Sequence, residues 1–184
     1  MSRRVLARHG QLTVVNLVAT SELNQPVNLE KLANVEGFLY DQAIYPCAYL
    51  KDNYTKTKVS IFSSGKMISF GGRNFSDAKH DLAYAAKRLA KLRLIKGTRI
   101  VPKLQNMVAT GEIGHSIDIE RLSTKLPNII YEPEQFPGAI YYAKELEGAS
   151  ILIFANGKVV FAGLKREELL EVGKQVLVKL AELV

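Results

Sequence analysis

The sequence predicts an α+β protein built from two copies of one module, each a run of antiparallel strands followed by a long helix lying on one face. Three observations predict it. The first is self-similarity: Val15-Asn16-Leu17-Val18-Ala19-Thr20 recurs as Gln105-Asn106-Met107-Val108-Ala109-Thr110 at a spacing of 90, and Tyr40 to Tyr49, with Tyr45-Pro46, recurs as Tyr131 to Ile140, with Phe136-Pro137, at 91. Ile61-Phe62-Ser63-Ser64-Gly65-Lys66 recurs as Ile153-Phe154-Ala155-Asn156-Gly157-Lys158 at 92, and Gly71 is matched by Gly163. One-residue loop insertions give this drift, and two copies predict a pseudo-twofold molecule rather than a solenoid, which needs more repeats. The second observation is alternation with period two along several segments, and the third is one helical apolar stripe at the end of each copy.

Taken in order, residues 12–20 alternate as a strand and 28–34 read as a short helix. A short strand at 37–41 is followed by strands at 45–51, 58–63 and 66–71, with Ser63-Ser64-Gly65 as the hairpin turn between the last two. Asn74 or Ser76 can cap a helix to about residue 94, striped by Leu82, Ala85, Ala86, Leu89 and Leu92. The second copy ends on a helix from about 166, striped by Leu169, Val172, Val176, Leu180 and Leu183. Strands in a row followed by one long helix place helices on one sheet face. The repeats are assigned to residues 10–97 and 98–184.

Composition narrows the function. The 184 residues, 47% hydrophobic and 23% charged, can bury a core. No apolar run reaches the roughly 18 residues that span a bilayer, and the stretch from Met1 to Arg8 is too short on apolar residues for a secretory signal, so an intracellular, cytoplasmic protein without membrane contact is expected. One cysteine, Cys47, excludes an internal disulfide, and His9, His80 and His115 are dispersed, so no metal or other cofactor is expected. No nucleophile–base set, phosphate-binding loop or paired carboxylates can be assembled, which argues against an enzyme. The net charge of +7 suits a polyanion, and it is uneven: residues 1–99 carry 16 Lys and Arg against 7 Asp and Glu, residues 100–184 carry 9 against 11.

Alternation sorts the hairpin residues into two sets. Val59, Ile61, Met67 and Ser69 share one side, while Ser60, Phe62, Lys66, Ile68 and Phe70 share the other; Ile151, Ile153, Val159 and Phe161 oppose Leu152, Phe154, Lys158, Val160 and Ala162 in the second copy. Both sides are largely apolar, but the helices can cover one. The other face is either buried in a third layer, for which no spare helix exists, or left open for a partner. An apolar face edged by Lys51, Lys66 and Lys158 suits a DNA minor groove, where van der Waals contact and a few amides read the bases and lysines meet phosphates. Tyr45, Phe62, Phe136 and Phe154, paired by the repeat, are the candidate wedges between base pairs.

At these residues the chain resembles the TATA-binding protein family across residues 12–183. Tyr131-Glu132-Pro133-Glu134-Gln135-Phe136-Pro137-Gly138, Gln105-Asn106-Met107-Val108-Ala109-Thr110 and the two Ile-Phe-x-x-Gly-Lys hairpins carry the resemblance jointly. It implies a saddle, a curved ten-stranded antiparallel sheet with four helices on the convex side, acting as an archaeal-type general transcription initiation factor at the nucleoid. The family is itself the standard example of minor-groove kinking by inserted side chains. By resemblance, Asn16 and Asn106 donate to groove acceptors, Val18, Val108, Ile68 and Val160 make apolar base contacts, and Tyr45 with Phe62 and Phe136 with Phe154 are the intercalating pairs. Lys66, Lys158 and Lys51 are the phosphate contacts. Glu132, Glu134 and Gln135 are the contact for transcription factor B, through which RNA polymerase is recruited indirectly. The free protein is a candidate homodimer through its concave face.

Departures from the family pattern cluster in the first copy: Tyr45 in place of Phe, a preceding Asp41-Gln42-Ala43-Ile44 loop without the acidic Pro-containing pattern, and Phe70 in place of Thr. The second copy has Ala162 for Thr and Tyr142 for Arg. A diverged saddle that binds transcription factor B or a regulator with weak or altered DNA binding is the alternative. A substrate-recognition half-saddle of a nucleic-acid enzyme is a third reading. Lys79, Lys87, Arg88 and Lys91 are expected to face solvent on the long helix of the first copy.

Overall fold

In a computed structural model, residues 11–184 are described; the basic start of the chain, His9 and Gly10 lie outside them. Two compact units make up the described residues, Asn16–Gln105 and Asn106–Val184, the latter with residues 11–15. The class is α+β with antiparallel strands, as the sequence predicts.

The first unit orders its strands β2-β3-β4-β5-β1. These are β1 (Thr13–Glu22), β2 (Phe38–Leu39), β3 (Cys47–Leu50), β4 (Lys58–Phe62) and β5 (Lys66–Gly72). Helix α1 (Phe75–Lys91) packs on β4 and β5. The second unit repeats the order as β6-β10-β9-β8-β7: β6 (Lys103–Glu112), β7 (Ile129–Ile130), β8 (Gly138–Tyr141), β9 (Ser150–Phe154) and β10 (Lys158–Leu164), followed by α3 (Glu168–Leu183). Between β6 and β7 lies α2 (Ile119–Lys125).

The predicted count of four helices is corrected to three α-helices among the described residues. The segment expected as a helix at 28–34 is a 3-10 turn, Leu29–Leu32, capped by Asn28, whose Oδ1 accepts from the Glu30 amide. The drift of the repeat explains the change. Leu29 and Leu32 match Ile119 and Leu122 at a spacing of 90, but Phe38 matches Ile129 at 91, so the second copy has one residue more here. The shorter connection closes as a 3-10 turn, whose three-residue period stacks the two buried leucines on one side. The step from 91 to 92 falls in the β8–β9 connection, where a second 3-10 turn, Lys144–Leu146, buries Leu146.

Burial follows the alternation. Val59, Ile61, Met67 and Ser69, and Ile151, Ile153, Val159 and Phe161, are fully buried beneath the helices. In α1, Asn74 rather than Ser76 is the cap, its Oδ1 accepting from the Asp77 amide at 2.8 Å. Leu82, Ala85, Ala86 and Leu89 are buried, whereas Leu92 falls past the last turn and is exposed. In α3, Leu169, Val176 and Leu180 are buried but Leu183 is exposed at the helix end. Arg88 departs from the solvent-facing expectation. Its guanidinium lies over the Phe38 ring, pairs with Asp52 at 3.0 Å and donates to the Glu36 carbonyl at 2.7 Å. Tyr84 also donates to Asp52, at 2.8 Å, and burial raises its phenol above the ordinary value.

The cores of the two copies are filled by different chemistry at matching positions. In the first, the fully buried Asp81 carboxylate accepts from the amides of Lys56 and Thr57 at 2.8 and 2.6 Å and from Thr57 Oγ1 at 2.7 Å. Thr57 spends its single hydroxyl proton on the carboxylate, so Ser69 must donate to Thr57, at 2.8 Å. At a spacing of 92, Thr57, Ser69 and Asp81 become Ala149, Phe161 and Gly173. There the Phe161 ring occupies the space of the polar network, and a Cβ on Gly173 would lie 3.3 Å from it. The three positions have changed as a set, because a lone change would strand a polar group or overpack the ring.

The hairpin glycines are fixed by close approach. Gly65 and Gly157 have φ of +89° and +82°, and a Cβ on either would collide with a backbone carbonyl, that of Gln25 or His115. The loop after the first strand of each copy is tied to this turn by Leu23 N to Gly65 O and by Ile113 N to Gly157 O, at 3.0 and 2.8 Å.

Asp81→Ala leaves the buried amide and hydroxyl of Thr57 and the part-buried amide of Lys56 without an acceptor and is expected to cost about 3 kcal/mol, read as a lowered urea midpoint. Gly173→Asp, which sets a carboxylate against Phe161 without that network, is expected to destabilise as well.

Candidate nucleic-acid interface

The sheet face turned away from the helices carries the residues that the sequence singled out. Its centre in each copy is an asparagine beside a bulge. The β1–β5 register shifts at Leu17/Val18 and the β10–β6 register shifts between Phe161 and Leu164, so Gly71 and Gly163 fall out of the regular pairing. Both have left-handed φ, +81° and +89°, which glycine adopts without strain. Asn16 Oδ1 accepts from the Gly71 amide at 3.2 Å, and Asn106 Oδ1 accepts from the Gly163 amide at 3.1 Å. Because a backbone N–H can only donate, the atom that meets it must be the amide oxygen, so each Asn presents its NH2 as the unspent end. The structure thus pins one end of each amide and leaves two donors on a half-exposed side chain.

Around each Asn the face is apolar and open. In the second copy, Thr110, Val160, Leu152 and Ile140 form a cross-strand row of half-buried side chains. In the first, the matching row is Thr20, Ile68, Ser60 and Tyr49. Val18 pairs across to Phe70, and Val18 and Val108 are half-buried two residues beyond their asparagines.

The aromatic pairs differ. Phe136 and Phe154 meet edge to face with centroids 5.7 Å apart. Tyr45 instead packs edge-on against Tyr49, at 5.6 Å. The residue between the wedge positions accounts for the difference. In the second copy it is Gly138, paired across to Phe154, and a Cβ there would lie 3.0 Å from Phe136 and 3.2 Å from Phe154. In the first it is Cys47, buried and paired across to Phe62, so its side chain occupies the space in which the second pair of rings meets.

The predicted cations are placed unequally. Lys66 and Lys158 are exposed at the starts of β5 and β10, directly across from Glu22 and Glu112. Lys51 is held by its own loop, its ammonium donating to the carbonyls of Thr55 and Thr57 at 3.2 and 3.4 Å. Glu132, Glu134 and Gln135 are exposed on a turn closed by Gln135 N and Phe136 N to Glu132 O at 2.9 and 3.0 Å. Asp41–Tyr45 forms the same turn, with Asp41 at the position of Glu132, Ala43 at that of Glu134 and Ile44 exposed at that of Gln135. Of the other departures, Tyr142 is exposed and Phe70 and Ala162 are half-buried on the open face.

One residue of this face was missed from sequence. Lys58 shares its side of β4 with Ser60 and Phe62, and its ammonium lies 4.0 Å from the Tyr49 ring centroid and 5.9 Å from that of Phe70. The same alternation that selected Phe62 marks its position.

The family model "Transcription factor TFIID (or TATA-binding protein, TBP)" matches residues 11–92 and 101–183. The chain is 39% identical to a TATA-box-binding protein of Cenarchaeum symbiosum, over 83% of this chain and 84% of that one. It is 35% identical to that of Thermococcus kodakarensis, over 86% and 83%. Among solved structures, the Methanococcus jannaschii TBP matches with a TM-score of 0.78 and 28% identity, covering 95% of this chain and 99% of that one.

The role given to the residue between the wedges is testable by NMR. Gly138→Ala should remove the ring-to-ring NOEs of Phe136 and Phe154 and cost about 1–3 kcal/mol by overpacking. Cys47→Gly should create NOEs between Tyr45 and Phe62.

Proposed function

The chain belongs to the TATA-binding protein family, and from that premise we propose that it is a non-enzymatic transcription initiation factor whose open faces lie in the minor groove of A/T-rich promoter DNA and bend it. The observation that carries the reading is the fixed orientation of Asn16 and Asn106. An A·T pair offers the minor groove only acceptors, adenine N3 and thymine O2, whereas G·C adds a donor. Amides whose oxygens are turned to backbone N–H groups direct their NH2 donors to the open side, which suits the acceptors of the first and is opposed by the donor of the second. Val18, Ile68, Val108 and Val160 supply the dry contact around them.

The rings at the ends of this face do the bending. Phe136 and Phe154, already stacked edge to face, enter one base step as a unit and unstack it; Tyr45 and Phe62 act at the other step as separate rings. Lys66 and Lys158, with Lys51 once its loop releases it, meet phosphates and make binding fall with salt. The turn bearing Glu132, Glu134 and Gln135 docks a basic surface of transcription factor B, and polymerase follows through that factor.

A fluorescence-transfer bending assay on an A/T-rich duplex over a salt series, with and without transcription factor B, tests the reading. The expected result is a bent complex that weakens linearly in log affinity against log salt and is strengthened by the partner. An affine but unbent complex would remove the wedges and spare the groove contact. Asn106→Asp keeps the acceptor for Gly163 but replaces the donors with a carboxylate, so it should fold normally, by circular dichroism, and lose more than about tenfold in affinity. Phe154→Ala should reduce bending more than Tyr45→Ala does; equal losses would show that the preformed ring pair has no special part.

A further inference from the structure

Resting on that reading, we infer that Lys58 is a base-reading residue that makes the first copy stricter for A·T pairs than the second and so gives the protein a preferred orientation on DNA. Lysines at a DNA-binding surface ordinarily lie at its rim, where phosphates are. Lys58 lies inside the open face. It pairs across to Phe70, which pairs across to Val18 on the strand that carries Asn16. Its ammonium is folded over Tyr49, at 4.0 Å, with Phe70 at 5.9 Å on its other side. Aromatic faces attract a cation and hold it within the surface.

The matching positions in the second copy explain why the two halves must read DNA differently. At a spacing of 92, Lys58 and Phe70 become Ser150 and Ala162, and Tyr49 becomes Ile140 at 91. The first copy therefore presents a cationic ridge where the second is shallow and uncharged. An ammonium has three donors and no acceptor. In the minor groove it is satisfied by the acceptors of A·T pairs and opposed by the exocyclic amino group of guanine. Narrow A/T tracts also carry the stronger negative potential. A G·C pair under the second copy meets no charge at this position; under the first copy it meets Lys58.

The test uses pseudo-symmetric duplexes with G·C pairs placed in one half. The chain carries Ser64→Cys, in the exposed β4–β5 turn, labelled with a fluorophore, while Cys47 is buried. Energy transfer to a dye at either DNA end gives the orientation. The wild-type residue at 58 should seat the first copy on the A/T half in about a tenfold excess, and Lys58→Ser should bring the two orientations to near equality. Lys58→Met, which keeps the bulk of the stem, should do the same. A uniform loss of affinity in both variants with orientation unchanged would mean a phosphate contact and overturn the proposal, as would no effect. Orientation lost in Lys58→Ser but kept in Lys58→Met would assign it to bulk and overturn the role of charge. If the unsubstituted chain binds none of the duplexes, the promoter-binding reading itself fails; if it binds and orients without regard to residue 58, this inference alone fails.

Discussion

Each copy has one long helix, and a sheet has two faces. That constraint governs the molecule. The helix takes Val59, Ile61 and Met67 in the first copy, or Ile151, Ile153, Val159 and Phe161 in the second, and among the described residues of the same unit nothing is left to cover Ile68, Phe70, Leu152 or Val160. Side chains that alternate across a pleat cannot be made polar on one face without giving up the apolar surface that a groove partner needs. The open face is therefore as much a product of the sequence as the core is, and the bulge at its centre serves both. Glycine there leaves a ladder N–H without a strand partner, and the asparagine that takes up this N–H is thereby oriented outward.

This coupling separates positions that can drift from those that cannot. The asparagines, the bulge glycines and the hairpin glycines match in both copies: each asparagine accepts from a backbone N–H, each bulge glycine holds a left-handed φ, and each hairpin glycine lies against a backbone carbonyl. Elsewhere the copies have diverged in sets. Thr57, Ser69 and Asp81 have become Ala149, Phe161 and Gly173; Cys47, Lys58 and Phe70 have become Gly138, Ser150 and Ala162. The first set exchanges a buried polar network for a ring and leaves the open face alone. The second set alters only that face, separating the first pair of rings and adding a cation.

Much of this was legible in the sequence. Period-two alternation and the repeat placed every strand longer than two residues and both long helices, and sorted Phe62 from Ile61 and Phe154 from Ile153. What sequence did not show had physical causes of its own. The short helix became a 3-10 turn because of one missing residue, a difference too small for periodicity to register. Arg88 was assigned to solvent because its partners, Asp52, Glu36 and Phe38, come from distant segments that no local pattern joins to it. Tyr45 and Phe62 correspond to Phe136 and Phe154, but Tyr45 packs on Tyr49 rather than on Phe62, because the residue between the two positions is cysteine in this copy and glycine in the other.

The asymmetry bears on how a duplicated surface can acquire direction. Two identical faces on a DNA stretch of matching halves bind equally well either way round, and direction then has to come from a partner. Glu134 has no acidic counterpart in the first copy, where Ala43 stands, so on the proposed reading a partner docked on that turn would tell the ends apart, but only after the complex has formed. On the proposed reading, a difference on the open face would act earlier, at the step where the bases are read. In this chain that difference consists of a cation held on aromatic rings in one copy and small uncharged residues in the other. The backbone N–H groups of Gly71 and Gly163 that hold the two asparagine amides in place are untouched by it, so on the proposed reading both copies would still recognise the groove while reading its two ends unequally.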